Sequence, residues 1–163
     1  MAATTARRDH VEPLPGAETT FAALRAAGVR VCLVTDVPRA MLDHVVDVLG
    51  WRDLVDLAVA PDHEEALRGA PYPDLILASA LRVRVDDIRD VAVVANTVDD
   101  LVAGRRAGAS IVAAVVGSGD DEASLRAAPH THVLRAIDEF PVILASAGSG
   151  APDGRDYSSS GGR

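Results

Sequence analysis

An α/β domain built on a parallel sheet is the fold class this sequence predicts, and three observations carry it. Short aliphatic and β-branched runs alternate with stretches whose apolar residues recur at helical spacing, the pattern of βαβ units. Hydrophobic residues make up 48% of the chain but aromatics only 3%, so the core must be packed from Val, Leu, Ile and Ala, as in strands buried on both faces. At 163 residues the length suits one domain, which buries about two thirds of the surface its unfolded chain exposes.

Residues 1–11 are polar and aperiodic and read as a loose, flexible arm, with the core expected over residues 12–147. Pro13, Pro15 and Gly16 lead into a first helix over residues 17–27, with Phe21, Leu24 and Ala27 on one face and Gly28 as its stop. Residues 29–35 (VRVCLVT) form a buried strand. Asp36-Val37-Pro38 opens a second helix that presents Met41, Val45, Val48 and Leu49, closes at Gly50 and is packed at its end by Trp51. A shorter strand spans residues 57–60. A charged stretch and the turn Gly69-Ala70-Pro71-Tyr72-Pro73 then lead into a helix over residues 74–81. Residues 91–95 are a third strand, 99–107 a helix stopped by Gly108, 111–116 a fourth strand and 131–134 a short fifth. Right-handed crossovers make the sheet parallel. The Ser/Gly-rich stretch over residues 148–163 reads as a disordered tail.

Composition excludes several function classes. A formal charge of −8 argues against a nucleic-acid partner. All 16 basic residues are Arg, which removes Schiff-base chemistry and any lysine clamp on phosphate. No apolar run reaches the roughly 18 residues that span a bilayer, and MAATTARRDH lacks the apolar stretch of a signal peptide. A cytoplasmic protein with no membrane partner is therefore expected. The single cysteine, Cys32, lies in an apolar strand, so a disulfide framework is excluded and the thiol reads as a small buried hydrophobe. No strand is followed by G-x-G-x-x-G, so dinucleotide binding has little support. His130 and His132 share a strand face at i, i+2 but lack companions at zinc-site spacing, and a structural role is expected.

Five stretches in order, LPGAETTFAALRAAGVRVCLVTD, LGWRDLVDLAVAPD, GAPYPDLILASALRV, VAVVANTVDDLVAGRRAGA and APHTHVL, cover roughly residues 12–144. Together they resemble the haloacid dehalogenase superfamily, in its phosphonatase-like and phosphoglycolate-phosphatase-like branch. The resemblance implies a Rossmannoid three-layer sandwich with its site at the carboxyl edge of the parallel sheet, where open α/β sheets bind ligands.

It also implies four motifs. The first is a nucleophilic aspartate on the central strand, followed by a helical cap, and it should precede residue 12. Only Asp9 in ARRDH lies there, with no apolar strand before it, so a core lacking the first strand and the cap is expected. The second is a phosphate-binding Thr or Ser, matched by Thr35 in LVTD, which also suits a helix-capping place beside Asp36. The third is a cation before proline; its place in Gly69-Ala70-Pro71 holds Ala70. Arg68 is the candidate to reach round, against its reading as a solvated loop arginine. The fourth is a pair of Mg²⁺-holding acids, corresponding to Ala95-Asn96-Thr97-Val98-Asp99-Asp100. Asn96 replaces the first acid and Asp100 remains, though Asp99 and Asp100 equally suit the first turn of a helix.

Thr35 and Arg68 are thus expected as vestigial phosphate-binding residues and Asn96 and Asp100 as vestigial metal-binding residues, with no intact nucleophile. No cofactor is expected, and Mg²⁺ only if activity remains. These losses point to a catalytically degenerate family member that binds a small anion or serves in an assembly. The alternative is a Mg²⁺-dependent phosphatase or phosphonatase half-enzyme whose aspartate strand comes from another chain; a third reading is a truncated product without selected activity. Without a central strand, residues 29–35 and 91–95 either pair directly or leave a slot filled by a protein partner or a second copy.

Overall fold

A computed structural model describes residues 4–7, 10–61 and 66–148. Where a loose arm was expected, β1 (Thr4–Arg7) and β2 (His10–Pro13) form a separate antiparallel ladder, from Thr4 opposite Pro13 to Arg7 opposite His10. There follow α1 (Ala17–Ala26), β3 (Cys32–Val34), α2 (Arg39–Val48), β4 (Leu57–Val59), α3 (Asp74–Arg82), β5 (Ala92–Ala95), α4 (Val98–Ala107), β6 (Ile111–Val115), α5 (Glu122–Ala127), β7 (His132–Leu134) and α6 (Phe140–Gly148). The five strands expected from hydrophobic runs are β3 to β7, each within three residues of its expected bounds. The helices α5 and α6 are additional. The Ser/Gly-rich tail over residues 149–163 lies outside the described residues.

The strands pair in parallel. Cys32 to Val34 face Leu57 to Val59, β5 pairs with β6 from Ala92 opposite Ile111, and β6 pairs with β7 from Ala113 opposite His132. All five residues of β6 are buried, as expected for a strand with neighbours on both sides and helices on both faces. On one face Leu33, Ala113 and Val115 pack with Phe21 and Leu24 of α1, Leu42 and Val46 of α2 and Phe140 of α6. On the other, Val93, Val112 and Ala114 pack with Ile76 of α3, Leu101 of α4 and Leu125 of α5. Trp51 closes the end of α2 as expected. It is fully buried, meets Phe21 edge-on and donates from Nε1 to Glu18 Oε1 at 3.0 Å.

Between β3 and β5 the sheet is divided. Among the described residues no ladder joins the two strands, so they do not close up on each other. A cavity of about 450 Å³ adjoins both, lined among others by Phe21, Val34, Ile76, Ala92, Val94 and Phe140. Cys32, expected as a small buried hydrophobe, borders it and is half-buried; burial pushes its thiol pKa up. Among the described residues no helix is long and apolar enough to cross a membrane.

Candidate functional site

The loops after β3, β5 and β6 converge at the carboxyl edge of the strands, the place where open α/β sheets bind ligands. They enclose a cleft of about 590 Å³ lined by Thr35, Asp36, Ala70, Asn96, Asp100 and Asp120 among others. Three of the four residues expected from sequence, Thr35, Asn96 and Asp100, therefore meet in one place.

Thr35 follows the last residue of β3, and its backbone N–H still donates to Val59 O, which fixes the strand end. Its hydroxyl accepts from Val37 N at 3.3 Å, a local turn contact that leaves room for a second partner. Asp36 next to it is exposed and accepts from Ala70 N at 3.1 Å, tying the Gly69-Ala70-Pro71 turn, with its cis Ala70–Pro71 bond, to the cleft rim. A side chain at Gly69 would overlap the Asp36 carboxylate, so the close approach depends on glycine.

Thr97 caps α4. Its Oγ1 accepts from Asp100 N at 3.2 Å and donates to Asp100 Oδ2 at 2.6 Å, a reciprocal capping arrangement that holds Asp100 at the cleft. Asn96 is buried; its Nδ2 donates to Ser118 Oγ at 3.3 Å and its carbonyl accepts from Asp120 N at 2.9 Å. Asp120 Oδ2 in turn accepts from Val98 N at 2.7 Å, so the loops after β5 and β6 are stitched together.

Arg68 is directed elsewhere. It is bound bidentately to Asp74, with Nε to Oδ2 at 2.8 Å and Nη2 to Oδ1 at 2.9 Å, and its guanidinium lies 4.1 Å from the Tyr72 ring centroid. The pairing raises the Arg68 pKa and holds the Asp74 carboxyl below its usual range. The cleft wall thus carries Asp36, Asp99, Asp100 and Asp120, and among the described residues lining it there is no cation. Sequence reasoning missed Asp120 and Ser118. The family resemblance that placed Thr35 and Asn96 supplies no motif for the loop after β6; the signal that could have found it is a polar residue just past a strand's carboxyl end.

Burial raises the Asp100 pKa above the usual carboxylate range, against a smaller opposing pull from the Thr97 hydroxyl. The folded form then holds the proton more tightly than the unfolded chain. The resulting stabilisation is complete below the unfolded-chain value, about 3.9, and is lost as pH rises through the folded value. Asp100→Asn cannot ionise and is expected to remove this loss. In urea unfolding between about pH 4 and about pH 8, the unsubstituted chain should lose stability relative to the variant as pH rises. Curves that stay parallel would contradict the role of burial.

Mg²⁺ requires near-octahedral oxygen donors including one or two carboxylates. Asp100 is engaged by Thr97 and Asp120 by Val98 N, while the Asn96 side chain offers a neutral carbonyl. No three acidic, histidine or cysteine side chains among the described residues converge to hold a metal. The described residues alone do not fit a Mg²⁺ site. His130 and His132 are separately engaged, with His130 Nδ1 2.8 Å from Ala128 O and His132 Nδ1 2.8 Å from Thr131 Oγ1. His130 lies outside β7, so the two do not share a strand face as the spacing suggested.

A parallel α/β core with a polar cleft at its strand ends defines a class of protein, and residues 2–108 match the family model described as haloacid dehalogenase-like hydrolase. The chain belongs to this family of hydrolases. It is 31% identical over 110 residues to a bifunctional riboflavin kinase/FMN phosphatase of Arabidopsis thaliana, covering 67% of this chain and 28% of that protein. It is 34% identical over 106 residues to a phosphonoacetaldehyde hydrolase of Pseudomonas fluorescens, covering 64% of this chain and 38% of that one. A haloacid dehalogenase family hydrolase from Deinococcus radiodurans, solved with bound phosphate and sodium, superposes with a TM-score of 0.75 at 29% identity, over 85% of this chain and 61% of that one. The chain thus spans well under half the length of these curated relatives.

Proposed function

We propose that this chain is a catalytically degenerate binding or assembly component of its hydrolase family, without phosphoryl-transfer turnover of its own. The observation that supports this reading is the charge of the cleft. Four aspartates line it, Ala70 stands at the cation's place in the turn, and Arg68 is bound to Asp74. Phosphoryl transfer is catalysed chiefly by neutralising charge on the transferring group. A cleft of this sign opposes that charge, so a small anion would enter only together with a cation. Incubating the purified chain with an aryl phosphate and Mg²⁺ is expected to give no turnover above buffer. Turnover that Asp100→Ala abolishes would overturn the reading.

The half-enzyme reading is favoured by one different observation. Val34 and Asp100 line both the cleft and the cavity between β3 and β5. A strand lying there parallel to its neighbours would bring its last residue to the cleft, where a supplied aspartate could serve as nucleophile and help to hold Mg²⁺. Turnover that appears only when such a strand is added would select this reading.

A further inference from the structure

We draw no further inference here: the strongest candidate, the exposed apolar face of α3 at Leu77 and Leu81, rests on side-chain exposure alone, and nothing in the structure shows what covers it.

Discussion

Trp51→Ala is expected to cost about 3–5 kcal/mol of folding stability, the range for emptying a buried tryptophan site. The indole is fully buried and stands 5.2 Å from Phe21, centroid to centroid, at an interplanar angle of 82°. The substitution removes this edge-to-face contact and the Nε1 bond to Glu18, and leaves a cavity where the turn after α2 meets α1. Domains have a total margin of only about 5–15 kcal/mol, so a large fraction of the variant should unfold in mild denaturant. Equilibrium urea unfolding followed by circular dichroism measures the loss. A change under about 1 kcal/mol would fall below the large-to-small range and show that the core relaxes around the site.

The second large effect is expected at Gly119→Ala, and its first consequence is local. Gly119 has φ of +87°, which an L side chain rarely adopts, and an added Cβ would overlap the Asn96 carbonyl oxygen. That carbonyl accepts from Asp120 N, and Asp120 caps Val98 N, so the substitution strikes the stitch between the loops after β5 and β6. A loss of about 1–3 kcal/mol is expected, as for other strained backbone positions, with faster hydrogen exchange at Asp120 and Val98. Gly117→Ala is the matched comparison. Its φ is +97° but nothing lies within 4 Å of the added carbon, so it should show backbone strain without the collision. Equal losses at the two positions would remove the contact with Asn96 from the explanation.

Much of this organisation was legible because burial leaves a period in the sequence. The run Val91 to Ala95 is apolar throughout and bounded by polar residues, and it emerges as β5 with Asn96 at its end. α5 escaped notice because six residues are too few for a helical stripe, although Asp121 and Ser124 form the side-chain cap that announces it. α6 was hidden differently. Phe140 to Gly148 is apolar around much of its circumference, and Pro141 in its first turn suits a helix start but interrupts a periodicity count. In the cleft, Thr35 and Asp100 could be placed by their match to motifs of the resembled family. The fate of Arg68 could not, because its pairing with Asp74 and its stacking on Tyr72 depend on how the turn folds back. The division between β3 and β5 was posed by the sequence as a choice, and only coordinates could decide it, because strand adjacency leaves no mark on the strands themselves.

β6 has a place in this divided sheet that bears on how the molecule comes apart. Its five residues are wholly enclosed and bonded along both edges, whereas β3 and β4 share a ladder of three residue pairs. Backbone opening proceeds from the least protected elements inward. Solvent should therefore reach the β3–β4 pair early and the amides of β6 last, so that the two portions of the sheet exchange hydrogen on separate clocks.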